Sequence, residues 1–247
     1  MERPVADRVR FILVRPQHPG NIGATARALK NMGFSRLVIV ADEDPDLRRA
    51  ESMATHGADL LATAEIHRDL DSALQGVVWA VATTCRPRQW RYQHFASREL
   101  GGELWTRALD GDVAILFGQE DYGLDNDAVN RCQAVVEIPT AGMKSLNLAQ
   151  AVLVIAYDLL LSRPDRSPKV ARVAVDLTEL EPVVERWVES WRAVGYLKGR
   201  NPEQFTTTLR QILGRAALDD REVTVLRGYF NKLHHYLRRT GGLDGDG

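Results

Sequence analysis

Cysteine is scarce in this chain. There are two among 247 residues, Cys85 and Cys132, and they form no C-x-x-C pair, so neither a disulfide framework nor a thiolate metal knuckle is written here. Long apolar runs are missing as well. None approaches the roughly 20 residues that a membrane span requires, although 45% of residues are hydrophobic and a core can form. Residues 1–10 are charged rather than signal-like. A cytoplasmic chain with no membrane partner is the expectation. Excess charge is also lacking: 32 Lys and Arg stand against 33 Asp and Glu, net −1. That argues against indiscriminate coating of nucleic acid, while leaving room for a local basic patch. The six histidines show no metal-ligand spacing, so no metal is expected. No Ser-His-Asp set, P-loop or G-x-G-x-x-G fingerprint is present.

What is there is an alternation. Residues 11–14, 37–40, 77–83, 113–117 and 134–138 are short apolar runs, which read as strands covered on both faces. Helices are expected over 22–32, with Asn21 as N-cap and Gly33 as stop, over 126–132 capped by Asp125, and over 146–162. Strand–helix alternation implies an α/β fold with a parallel sheet. Proline, serine and charge over 163–168 break the pattern. We therefore expect a first domain over 1–163, a linker over 164–175, a helical extension over 176–240 and a disordered tail over 241–247. Helices are expected in the extension over 177–193, 202–215 and 221–239.

Four segments carry chemistry. In the first, Gly23, Arg27 and Lys30 fall at i, i+4 and i+7, giving one helix face glycine and positive charge; a solvated face is the plain alternative. In the second, a strand runs into Gly118, Glu120 and Gly123. Gly118 would let a ligand approach the backbone, and Gly123 would allow a tight bend. In the third, Ile138-Pro139 leads to Ser145 and Asn147 at a helix mouth, where capping and ligand contact are compatible. In the fourth, residues 86–98, Arg86, Arg88, Arg91 and Arg98 alternate with Trp90, Tyr92 and Phe95. Arginine for phosphates and rings for bases suit single-stranded RNA; a basic loop with packed rings is the alternative.

In this order, the first three segments resemble the motifs of the SPOUT methyltransferases, TrmH-like branch. The matching residues are Asn21-x-Gly23-x-x-x-Arg27, then Phe117-Gly118-x-Glu120-x-x-Gly123-Leu124, then Ile138-Pro139 with Ser145-Leu146-Asn147-x-Ala149. The tail, with Asn201-Pro202, residues 209–216 and Glu222 to Gly228, is similar to the C-terminal extension of the TrmJ type. Those are tRNA (cytidine/uridine-2′-O-)-methyltransferases acting at position 32 of the anticodon loop.

The resemblance implies a parallel-sheet SPOUT domain with a C-terminal trefoil knot plus a small all-helical extension, and a homodimer whose sites draw on both subunits. It implies that S-adenosyl-L-methionine (AdoMet) is held by Thr83, Thr84, Cys85, Gly118, Glu120, Ile138, Ser145, Leu146 and Asn147. Arg27 would face the ribose 2′-oxygen, with Ser145 and Asn147 orienting the ribose or its phosphate. RNA contacts are expected from Asn21, Lys30, Arg86, Arg88, Arg91 and Lys144, with tRNA as partner. Three departures bear on substrate range, one of them the composition of the loop Ala141-Gly142-Met143. Gln119 stands where many TrmJ-type chains have arginine, and Lys144 precedes Ser145 where another serine is usual; Lys144 would restore the charge. In the extension, Arg210, Arg215, Arg227, Lys232, Arg238 and Arg239 offer further RNA contacts, against the alternative of helices that only pack. The rival functions are 2′-O-methylation of another tRNA or rRNA site, and a non-catalytic RNA-binding SPOUT protein.

Overall fold

The computed structural model describes residues 3–85, 92–143, 145–164 and 174–239. The first part of the chain runs β1 (Val9–Val14), α1 (Pro19–Asn31), β2 (Leu37–Val40), α2 (Leu47–Ala54), α3 (Ala58–Ala62), β3 (Glu65–His67) and α4 (Leu70–Leu74). It continues through β4 (Val77–Thr83), β5 (Gln93–Ala96), α5 (Leu100–Asp110), β6 (Asp112–Phe117), α6 (Asn126–Asn130), β7 (Ala134–Glu137) and α7 (Leu148–Leu161). The extension is α8 (Leu177–Ala193), α9 (Pro202–Ala216) and α10 (Asp220–Arg239). The expected linker and tail fall largely or wholly outside the described residues.

The strands form one parallel sheet in the order β3-β2-β1-β6-β4-β7-β5. Alternation along each strand sorts the apolar side chains into two layers. Phe11, Leu13, Ile115 and Phe117 join α1, α5 and α7 on one face. Ile12, Val14, Ala114 and Leu116 face the other side, towards α4 and α6. All five expected strands are present. The two that were not anticipated, β3 and β5, are the sheet edges, where mixed burial leaves no apolar run.

The start of α1 corrects an expectation. The helix begins at Pro19, with His18 as N-cap, rather than at residue 22. Proline presets the first helical φ and has no N–H to satisfy. Asn21 is therefore inside the first turn, and its amide is released for other work. Gly23 is also reassigned. It is buried against α2, where an added Cβ would lie 1.9 Å from the Ala50 carbonyl oxygen. It is a helix-packing glycine rather than part of a ligand-facing surface.

The extension has its own core of Val183, Val184, Leu209, Leu213, Val223 and Phe230. It docks on the sheet domain through Gln133, which is buried and accepts a hydrogen bond from the Ala80 N–H at 2.9 Å. Gly214 of α9 lies flush against that Gln133 side chain.

Candidate active site

The carboxyl ends of β4, β6 and β7 surround a cavity of about 320 Å³. Hydrogen bonds fix these ends to one another. Thr83 Oγ1 donates to the Leu116 carbonyl at 2.9 Å, and the Thr84 N–H donates to the Val136 carbonyl at 3.0 Å. Beyond β6 the chain folds back, with the Gly123 N–H donating to the Gln119 carbonyl at 2.9 Å. Gly123 adopts φ +68° there, as a tight bend requires. Gly118 is needed for a further reason besides the one expected. A Cβ on it would come within 2.1 Å of Gly123 and Leu124 backbone atoms, so the chain itself fills the space above it.

Three separated segments meet at the mouth of this cavity. Glu120 lines the cavity and accepts hydrogen bonds from the Gln17 N–H at 2.9 Å, the His18 N–H at 3.2 Å and Asn21 Nδ2 at 2.7 Å. Asn21 Oδ1 in turn accepts from Asn147 Nδ2 at 2.9 Å. Asn147 Oδ1 caps α7, accepting from the Ala149 and Gln150 N–H groups at 3.0 and 3.3 Å. The chain Glu120–Asn21–Asn147 thus joins the β6 loop, α1 and α7. Burial alone would raise the Glu120 pKa; the hydrogen bonds from Asn21, Gln17 and His18 outweigh it, and the carboxyl is held below its ordinary value.

Eight of the nine residues expected around a cofactor line this cavity: Thr83, Thr84, Cys85, Gly118, Glu120, Ile138, Ser145 and Leu146. Asn147 does not, and both ends of its amide are engaged. Arg27 is exposed on α1, with no ion pair or hydrogen bond among the described residues. Lys30 pairs with Asp59 of α3. Arg86, Arg88, Arg91, Trp90 and Lys144 lie outside the described residues. The two other rings of the basic segment are packed rather than offered to bases. Tyr92 is buried and donates to Asn130 Oδ1 at 2.6 Å, and Phe95 meets Trp79 edge-on at 6.4 Å. The backbone acceptance by Glu120 was not legible in the sequence, because Gln17 and His18 contribute only main-chain atoms.

A cavity of this size is within the usual range for small-molecule sites, about 300–1,000 Å³. Its walls join apolar side chains, among them Phe117, Ile138, Leu146 and Leu148, to the polar ends of strands. That mixture fits a nucleoside bearing an amino-acid chain. Among the described residues, no cluster of His, Cys, Asp and Glu is arranged for a metal, and no helix is long and apolar enough to cross a membrane.

Residues 8–157 match the model of the SpoU rRNA Methylase family. The chain belongs to the SpoU methylase family. Residues 178–242 match a second model, described as the tRNA methyltransferase TrmJ, C-terminal domain. Two curated relatives span almost the whole chain. The tRNA (cytidine/uridine/adenosine-2′-O-)-methyltransferase TrmJ of Pseudomonas aeruginosa is 34% identical, covering 94% of this chain and 96% of that one. The tRNA (cytidine/uridine-2′-O-)-methyltransferase TrmJ of Sodalis glossinidius is 32% identical, covering 92% and 91%. Among solved structures, TrmJ from Z. mobilis superposes with a TM-score of 0.74 at 28% identity, over 91% of this chain and 98% of that one. A probable methyltransferase from Bordetella pertussis is 40% identical, with a TM-score of 0.59, over 64% of this chain and 97% of that one. In this SpoU methylase, the segments joined by Asn21, Glu120 and Asn147 all lie within the stretch that matches the family model.

Proposed function

We propose that this protein is a tRNA ribose 2′-O-methyltransferase using S-adenosyl-L-methionine, acting on cytidine or uridine at position 32 of the anticodon loop. The observation that carries the reading is the single cavity at which all three motif segments meet, in a chain aligned with tRNA methyltransferases over more than nine-tenths of its length. The cofactor supplies, when bound, an electrophilic methyl group. Thr83, Thr84, Cys85, Gly118, Ile138 and Leu146 would hold it at the strand ends. Arg27, exposed and without an ion pair among the described residues, would face the ribose 2′-oxygen. A guanidinium gives up its proton only far above neutral pH and is a poor base, so its role is to stabilise the developing alkoxide. Ser145 orients the ribose or its phosphate. Asn147 acts as a positioning residue, fixing Asn21 and through it Glu120. Lys144, Arg86, Arg88 and Arg91 complete the RNA contacts in this reading, while Lys30, paired with Asp59, contributes less.

The active form is a cytoplasmic homodimer in which Arg27 serves a site shared between subunits, and the sheet domain carries a trefoil knot near α7. Helix α7 supports the dimer: Leu153, Tyr157 and Leu160 form an exposed apolar stripe at i, i+4 and i+7. The division into a domain over 1–163 and an extension over 176–240 belongs to the same reading.

The test is methyl transfer from labelled AdoMet to unmodified tRNA, with the product nucleoside mapped by mass spectrometry. A 2′-O-methylated pyrimidine at position 32 is the expected product. Methylation elsewhere in tRNA, or of rRNA as the family model's description allows, would move the target. Binding of AdoMet and RNA without transfer would support a non-catalytic RNA-binding protein.

A further inference from the structure

Two rings border the cavity among the described residues, Phe117 and Tyr122. Phe117 is 1% exposed and belongs to the core of the sheet, whereas Tyr122 keeps 68% of its surface in solvent. A lone exposed ring is ordinary on a protein surface. This one sits at the tip of a loop that is fastened on both sides. On one side the Gly123 N–H donates to the Gln119 carbonyl at 2.9 Å, and Gly118 lies flush against the Gly123 and Leu124 backbone. On the other, Leu124 is buried and Asp125 Oδ1 caps α6, accepting from the Ala128 N–H at 2.8 Å. Glu120, two residues before the ring, is held by Gln17, His18 and Asn21. A tyrosine has only two side-chain torsions to fix, so on a braced loop it meets a ligand at low entropic cost.

What meets it follows from position and charge. A ring that walls in the cofactor would be covered by its neighbours, as Phe117 is. Tyr122 instead borders the cavity and stays open to solvent, on the side from which a second substrate arrives. In a ribonucleotide the 2′-oxygen and the base hang on neighbouring ribose carbons. Whatever brings that oxygen to the cavity mouth therefore brings its base there too. Phosphate is a poor match for this loop. From Gly118 to Asn130 the sequence has four carboxylates, Glu120, Asp121, Asp125 and Asp127, and no lysine or arginine. A neutral pyrimidine meets no such repulsion, and its face stacks on an aromatic ring. Stacking reads the face of a base rather than its edge, so one ring serves cytidine and uridine alike.

We propose that Tyr122 is the platform on which the base of the target nucleotide stacks while its ribose is presented to the methyl donor. The proposal rests on the methyltransferase reading above. Methyl transfer would be measured as kcat/KM for tRNA with full-length wild type, Y122A and Y122F. Two substrates are compared: unmodified tRNA, and a tRNA whose mapped target nucleotide lacks the base but keeps the 2′-hydroxyl. On unmodified tRNA, Y122A should lose about 5- to 150-fold, and Y122F, which keeps the ring, should recover most of that loss. Removing the base should cost wild type more than it costs Y122A, by about the factor that Y122A itself loses. AdoMet affinity and oligomeric state should not change. In a wild type that methylates tRNA, full activity of Y122A, or equal losses on removing the base in wild type and Y122A, overturns the platform alone. Weakened AdoMet binding by Y122A, or a changed oligomeric state, does the same by placing the ring on the cofactor or at a subunit contact. A wild type that transfers no methyl group to tRNA overturns the methyltransferase reading with it.

Discussion

The two ends of the sheet are both rich in polar side chains, yet they are built for different ends. At the amino ends of the strands, Asp112 of β6 gathers three arginines. Arg10 Nη2 donates to it at 2.8 Å, and Arg36 and Arg3 also reach it. Arg10 spends its other nitrogen on the Ala73 and Gln75 carbonyls at 3.0 and 2.8 Å. Burial first, and the neighbouring Arg36 second, push the Arg10 pKa down to about 10, so it stays charged at neutral pH. This end is a staple that ties β1 and β6 to the turn before β4. Around the cavity of about 320 Å³ at the carboxyl ends, the polar side chains are mostly uncharged, among them Thr83, Thr84, Gln119 and Ser145, with Glu120 and Asp121 as carboxylates. Density of charge therefore does not mark the site in this fold. Polar groups that brace separate segments around a space do.

Mutations should separate the two ends. The largest expected effect is at the staple. Asp112→Ala leaves the largely buried Arg10 and Arg36, and the half-exposed Arg3, without their carboxylate, and removing one partner of a fully buried pair typically costs about 3–5 kcal/mol, which sets the upper bound. Denaturant unfolding should show that loss, while turnover per folded molecule stays near wild type. Next comes Arg27→Ala. Loss of a preorganised electrostatic group should cost about 10²–10³ in turnover, with an unchanged unfolding midpoint because Arg27 is exposed and has no ion pair among the described residues. Near-normal turnover would remove Arg27 from the chemistry.

Asn147 allows a finer division. Asn147→Ala loses the α7 cap, at about 1 kcal/mol, together with the bond to Asn21. Asn147→Asp keeps the acceptor for the cap but not the donor to Asn21, so stability should return while methyl transfer stays impaired. If activity returned as well, the link between α1 and α7 would be dispensable. The smallest effect is in acid. Glu120 has a lowered pKa in the folded protein, so its stabilising contribution is complete above the ordinary carboxylate value of about 4.3. It is lost as pH falls through the lowered folded value. Glu120→Gln should remove that part of the acid unfolding curve, and identical curves for variant and wild type would contradict a stabilising role for the Glu120 hydrogen bonds.

Much of this was readable beforehand, and the misses have physical causes. The buried strands announced themselves because both faces are covered, leaving uninterrupted apolar runs such as Leu37–Val40. Edge strands Glu65–His67 and Gln93–Ala96 have no such run. The residues of the cavity were named from their motif order, but what several of them do was not. Gly118 makes room for the chain's own backbone as well as lining the cavity, Gly23 packs on a neighbouring helix, and Tyr92 joins the core. Gly23 and Tyr92 depend on contacts distant in sequence, with Ala50 and Asn130, which local pattern does not carry. Asp112 was passed over for the same reason: its partners Arg3, Arg10 and Arg36 come from far upstream in the chain.

The central claim is that the cavity at the strand ends is where the cofactor binds. Calorimetric titration of AdoMet into wild type and Ile138→Trp tests it directly, because Ile138 lines the cavity and an indole there would intrude into it. The account predicts saturable binding to wild type and none to the folded tryptophan variant. Equal binding to both would place the cofactor elsewhere and contradict the assignment.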